Sequence, residues 1–263
     1  MVLYNFTIMQ LKHKPFLLIL LALVLIHLLH GLIIWLTMQL GLSNEVVDTI
    51  SLITIPIVTI IGIVFLLIQF GVHLNFSLKK VNPKLVFYVM LLAVFIVIFQ
   101  SALDVSFIKG LLQSKVRFFT FTNPSQYGIH SIVYLFGAVI AAPIIEEILY
   151  RKIIFIRLKE HYGLAFGLVV SSFLFALVHW NFEGLFAYFI TGLLYSYLYY
   201  LTKVLWLNIL LHGIYNFVVT FTTIEMFDSS DRIFVIILLL YLISTAGIYM
   251  ILKDVKTLTI KTD

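Results

Sequence analysis

Two adjacent glutamates and an arginine lie inside an apolar stretch from Ala141 to Arg151, which reads AAPIIEEILYR. Charged residues make up only 11% of the chain, and a charge at the centre of a bilayer costs about 2.5–3.5 kcal/mol. On a helix, Glu147 and Arg151 are four residues apart and share a face, so we expect an ion pair. Glu146 points about 100° away from that face. One glutamate is then neutralised, and the other is available for chemistry.

The same residues also fit a second interpretation, in which the stretch is a membrane helix end that meets the cytosolic headgroups. The proline at position 143 bears on both interpretations. It can kink the helix and free backbone groups close to the carboxylates.

Two further apolar segments carry histidines. The first ends FLFALVHW, in which Phe175 and His179 are four apart and share a face. The second reads LNILLHGIYN, in which His212 and Asn216 are four apart and Gly213 allows another helix to approach closely. Ionisable groups in membrane helices usually face the bundle interior. Together with Glu146, the two imidazoles can hold a water and remove its proton, or bind zinc with Asn216 as a fourth or outer ligand.

The composition predicts the elements that must position these residues. The chain is 62% hydrophobic, against about 45–50% for soluble domains, which indicates an all-α polytopic membrane bundle. Its 263 residues fit a single integral membrane domain, 1–263, without a soluble domain. The absence of cysteine excludes disulfides and thiolate chemistry. The predicted spans are 16–41, 51–73, 85–103, 129–150, 163–180, 185–202, 204–225 and 232–252.

The charge distribution predicts the orientation. With the N-terminus in the cytosol, 13 of the 17 basic residues fall inside and 4 fall outside. Both termini are therefore expected in the cytosol. The net charge of +5 is explained by these loop residues and does not indicate nucleic-acid binding. The long connection 104–128 is expected to form an interfacial amphipathic segment, and His27 with His30 to form an interhelical polar contact.

The three motifs resemble a known family. EEILYR matches the pattern EExxxR, FALVH matches FxxxH, and HGIYN matches HxxxN, in that order. Together they are similar to the signature of the CPBP intramembrane proteases, also called the CAAX-protease and bacteriocin-processing or Abi family. The resemblance covers about residues 129–220, includes the alanine-proline lead-in to the glutamates, and makes that region the expected catalytic core.

The resemblance implies an eight-helix membrane peptidase. Glu146 would be the base that activates water, and His179 would help to position that water. His212 and Asn216 would stabilise the oxyanion or complete a metal site. The pair formed by Glu147 and Arg151 fills the remaining motif positions with a structural role.

The cofactor and the partners follow from the same resemblance. No cofactor is certain, but Glu146, His179 and His212 form a candidate set for a divalent metal such as zinc. The expected partners are the lipid bilayer and a peptide or lipidated-protein substrate, from prenylated C-terminal tails to leader peptides. Short loops suit a bacterial plasma membrane. Two alternatives stay open, a proton-coupled transporter and a non-catalytic immunity or scaffold protein.

The predicted span limits conflict with the motif at one point. They place Glu146 near the cytosolic end of its helix and His179 near the outer end of the next one. Because a helix rises about 1.5 Å per residue, moving the fourth span to 133–155 would bring Glu146 towards the middle of the membrane. The apolar segment RKIIFIRL permits that shift.

Overall fold

The computed structural model describes residues 14–72, 81–100, 115–121, 134–228 and 231–260. These residues form a helical membrane bundle, which confirms the predicted all-α class. A pair of short strands accompanies the helices. The helices of the described residues, numbered in chain order, are α1 (Pro15–Gln39), α2 (Asn44–Phe70), α3 (Pro83–Gln100), α4 (134–162), α5 (Leu164–Leu177), α6 (Leu185–Thr202), α7 (Leu205–Thr220) and α8 (Asp231–Ile260).

The helices are those of an integral membrane protein. Five of them are long and apolar enough to cross a membrane: α1, α2, α3, α6 and, over Leu238–Ile260, α8. Helices α5 and α7 are shorter but apolar as well. Each predicted span coincides with one helix of the structure, and the span 185–202 has the predicted limits.

Helix α4 departs most from its prediction. The span was expected to end at 150, but helical backbone runs without a break from 134 to 162. It changes type four times. After α-helical residues 134–136, π-helical turns lie at Gly137–Ala141 and Glu147–Phe155 and α-helical turns at Ala142–Glu146 and Ile156–Tyr162. The predicted end was wrong because Ile153, Ile154 and Phe155 are fully buried and continue the apolar core. Glu146 therefore lies close to the middle of its helix.

The two strands were not predicted. Strand β1 (Lys115–Phe121) pairs antiparallel with β2 (Thr222–Asp228), and β2 follows α7 after a single residue. The register runs from Lys115 opposite Asp228 to Phe121 opposite Thr222. Within the predicted interfacial segment 104–128 the structure describes β1 alone, and the rest of that segment lies outside the described residues.

The chain divides into two compact units, 1–77 with 144–167 and 78–143 with 168–263. In the first unit, α1 packs on α2. Of the histidines expected to make an interhelical polar contact, His30 does so, because its ring nitrogens lie 3.2 Å from Thr54 Oγ1 and 3.3 Å from Ser51 Oγ on α2. His27 Nδ1 instead lies 2.8 Å from the carbonyl oxygen of Leu23 in its own helix. Arg157 donates a 2.6 Å hydrogen bond to the carbonyl of Phe70, the last residue of α2.

The second unit contains α3, α6, α7 and α8 around one hydrophobic core. Its buried members are Leu85, Val89, Leu92, Ala93, Ile96, Tyr195, Leu198, Val204, Leu207, Leu211, Ile248, Ile251 and Val255. Two hydrogen bonds between buried polar groups join helices of this unit: Thr191 on α6 donates to Gln100 Oε1 on α3 at 3.1 Å. Asn208 on α7 donates to the carbonyl of Tyr195 on α6 at 2.7 Å. These bonds join α6 to α3 and to α7, the helix that carries the third motif.

Candidate active site

The arginine of the first motif forms the predicted ion pair. Arg151 Nε lies 3.1 Å from Glu147 Oε2, and both side chains are 0% exposed. Arg151 is among the largest fully buried side chains of the described residues. A buried pair of this kind is sensitive to the loss of either partner, because the other charge then stays in a medium of low dielectric constant.

The neighbouring glutamate has a different environment. Glu146 is partly exposed, whereas Glu147 has no exposed surface. The α-helical turn of Pro143 ends at Glu146, and the π-helical turns begin at Glu147. Short π-helical insertions are frequent at functional sites. Glu147 is therefore completely buried, whereas Glu146 keeps some exposed surface although its Oε2 is buried.

His179 is held in one tautomer at the end of α5. Its Nδ1 lies 2.7 Å from the carbonyl oxygen of Phe175, one of the last carbonyls of the helix. A carbonyl only accepts hydrogen bonds, so Nδ1 carries the proton and the neutral ring has its lone pair on Nε2. The ring also stacks on Tyr188 of α6, with centroids 4.2 Å apart and planes 20° from parallel.

Phe175 links the two histidines of the second unit. Its ring meets His179 edge to face at 4.8 Å and His212 at 5.9 Å. His212 is buried and also lies against the ring of Tyr195, at 5.2 Å. The phenylalanine of the second motif thus separates and orients two imidazoles from different helices, which is a reason for its position four residues before His179.

Small residues allow these helices to approach one another. A Cβ on Gly192 of α6 would lie 3.0 Å from Ser172 Cβ and 3.2 Å from Phe175 Cδ1 on α5. The hydroxyl groups of Ser171 and Ser196 meet across the same seam at 3.3 Å. A larger residue than glycine at position 192 would displace the phenylalanine that contacts both histidines.

Asn216 contacts the backbone of α4. Its Nδ2 donates to the carbonyl of Ala138 at 2.8 Å. One turn earlier, a Cβ on Gly213 would lie 2.9 Å from the carbonyl oxygen of Val139. The expected close helix approach at Gly213 is therefore confirmed, and it lies between α7 and the first π-helical turn of α4.

The structure thus brings together Glu147 with Arg151 in the first unit, and His179 with His212 in the second. Sequence reasoning missed Tyr188 and Tyr195, which contact the two imidazoles. The two tyrosines are seven residues apart on α6, a spacing that places them on one helical face. That spacing, on the helix between the two histidine motifs, could have indicated that the two tyrosines face the histidines.

The next question is whether the described side chains are grouped in a way that could hold a metal ion. In the part of the chain that the structure describes, no group of three or more His, Cys, Asp or Glu side chains is arranged to hold a metal ion. A zinc enzyme uses three protein ligands and an open position. The metal set of Glu146, His179 and His212 stays a prediction, and no step proposed below is assigned to a metal.

Comparison with known proteins identifies the motif-bearing region. Residues 128–218 match the family model described as Type II CAAX prenyl endopeptidase Rce1-like. The match covers all three motifs and confirms their resemblance to the CPBP intramembrane proteases.

Two curated bacterial proteins are similar to the chain over the same share of its length. YdiL of Bacillus subtilis, assigned by name as a membrane peptidase, is 37% identical over 86 residues, 33% of this chain and 35% of its own. MroQ of Staphylococcus aureus, named a membrane-embedded CAAX protease, is 38% identical over 96 residues, 34% of this chain and 39% of its own. The similarity therefore spans little more than a third of each relative. No solved structure matches the chain.

Proposed function

We propose that the chain is an intramembrane endopeptidase that hydrolyses a peptide bond of a membrane-associated peptide with water activated by Glu146. The observation that carries the proposal is that the two adjacent glutamates differ in burial and in ion pairing. Glu147 is fully buried and neutralised by Arg151, while Glu146 is partly exposed in the same helix. A base that must reach water needs the second environment, and the first environment suits a structural ion pair.

The proposed reaction uses groups of this chain alone. Glu146 takes a proton from water while the water oxygen attacks the carbonyl carbon of the scissile bond. The unprotonated Nε2 of His179 accepts a hydrogen bond from the same water, and His212 stabilises the oxyanion that forms. The tetrahedral intermediate then collapses. The bond from carbon to nitrogen breaks, and the proton held by Glu146 passes to the leaving amine.

The proposed substrates are peptides that reach the enzyme from the bilayer, such as lipidated C-terminal tails or leader peptides. The test compares membrane and secreted peptides of cells that carry the wild-type chain with those of cells that carry Glu146→Ala. We expect cleaved products that occur only with the wild type. Identical peptide profiles would favour the non-catalytic immunity or scaffold alternative, and ion-gradient uptake that depends on Glu146 would favour a transporter.

The metal requirement has a direct test. Because asparagine is a poor zinc ligand and neither histidine motif has a standard zinc spacing, we expect active purified protein to hold less than one metal ion per chain. Chelators should then leave its activity unchanged. Stoichiometric zinc by elemental analysis, lost together with activity in His179→Ala, would contradict this prediction.

The orientation of the chain is also proposed. The bias of 13 inside against 4 outside among the 17 basic residues places both termini in the cytosol. Reporter fusions after Lys84 and after Lys203 should report a cytosolic position, and a fusion at Asp228 an external one. An external report at Lys203 would overturn the arrangement.

A further inference from the structure

The first π-helical turn of α4 has a gap in its hydrogen bonding. The N–H of Ala142 donates to the carbonyl of Gly137, five residues earlier. In the same register the next donor, at position 143, would serve the carbonyl of Ala138. Position 143 is a proline, which has no N–H group. The carbonyl of Ala138 therefore lacks the donor that its own helix would otherwise supply.

The side chain of Asn216 supplies a donor to the carbonyl of Ala138. Its Nδ2 lies 2.8 Å from the oxygen of Ala138. Because a carbonyl oxygen accepts and never donates, the amide group that faces it must be the NH₂. The close contact of Gly213 with the carbonyl of Val139 brings the backbone of α7 near enough for this short side chain to reach.

We infer that Asn216 supplies from α7 the hydrogen bond that Pro143 removes from α4. Asn216 is then a positioning residue for the segment that leads, three residues later, to Glu146. The hydrogen bond from Asn216 to the carbonyl of Ala138, which Pro143 leaves without its helical donor, is called the tether below. It connects the alanine-proline lead-in of the first motif with the asparagine of the third. The consequence for catalysis rests on the proposed function, but the tether itself does not.

The tether can be tested by moving the donor back into the helix. Asn216→Ala leaves the carbonyl of Ala138 unsatisfied, so the melting temperature in detergent should fall by about 2–10 °C. Activity should fall about 10–100-fold, because the segment before Glu146 loses its fixed position. Pro143→Ala restores an N–H to α4, so the double variant should recover most of the lost melting temperature.

Asn208 offers a matched control on the same helix. It also donates its amide to a backbone carbonyl, that of Tyr195, at 2.7 Å. Asn208→Ala should lower the melting temperature as well, but Pro143→Ala should not restore it. This comparison separates a specific exchange of donors from a general stabilising effect of removing a proline.

Two outcomes would overturn the inference in different ways. No recovery of melting temperature in the double variant would show that Pro143 and Asn216 do not share one carbonyl. Equal rescue of Asn208→Ala would show a non-specific effect. If the wild type cleaves no peptide, the proposed function fails, while the melting temperatures still decide the tether.

Discussion

Glu146→Gln should abolish most of the peptidase activity and leave the protein folded. Positioned general bases contribute about 10²–10⁴-fold to rate, and glutamine keeps the size of the side chain without its basicity. Because Glu146 is partly exposed, whereas Glu147 forms the fully buried pair with Arg151, neutralising Glu146 should hardly change the melting temperature. The measurement is cleavage of a peptide identified with the wild type, together with thermal unfolding in the same detergent.

The control for this prediction is the conservative change Glu146→Asp, which keeps a carboxylate but shortens its reach. It should retain more activity than the glutamine variant, because the base is displaced and not removed. The assignment fails if Glu146→Gln unfolds the protein. It also fails if the glutamine variant cleaves the peptide at a rate near that of the wild type.

Arg151→Ala should cause the largest loss of stability. It leaves Glu147 without its ion-pair partner at a position with 0% exposure, and breaking a buried pair in this way costs about 3–5 kcal/mol. That is a large part of the about 5–15 kcal/mol by which native proteins are stable. Protein level in the membrane, melting temperature and activity should therefore all fall together.

The double variant Glu147→Ala with Arg151→Ala should recover part of this stability, because no single charge remains buried. The exposed pair of Arg157 with Glu160, also 3.1 Å apart, supplies the control. Glu160→Ala should change stability by no more than about 1 kcal/mol, because exposed pairs contribute little. A double variant no more stable than Arg151→Ala would show that Glu147 and Arg151 are not energetically coupled.

The sequence by itself determined the places and order of the helices in the part of the chain that the structure describes. A membrane-spanning segment must be apolar over about 20 residues, so hydropathy alone located these helices. It also determined the pair of Glu147 and Arg151, because a spacing of four residues on a helix is a local property. The three motifs were enough to identify the family for the same reason, since each is a local pattern of residue types.

Where α4 ends was decided by tertiary structure. The charges at Arg151 and Lys152 looked like a helix end that meets headgroups. In the structure the arginine is neutralised by Glu147, and Ile153, Ile154 and Phe155 are buried. A charged residue that is neutralised by a partner can lie inside a membrane helix. Hydropathy is a sum over single residues and contains no information about ion pairs.

The contacts that give the site its geometry were also decided by tertiary structure. Phe175 touches both imidazoles, and Asn216 reaches the carbonyl that Pro143 leaves open. The pairing of β1 with β2 joins residues about a hundred positions apart. These contacts depend on how closely separate helices and strands approach, which small residues such as Gly192 and Gly213 permit but do not specify. A sequence pattern describes the faces of single elements, and only the assembled chain determines which faces meet.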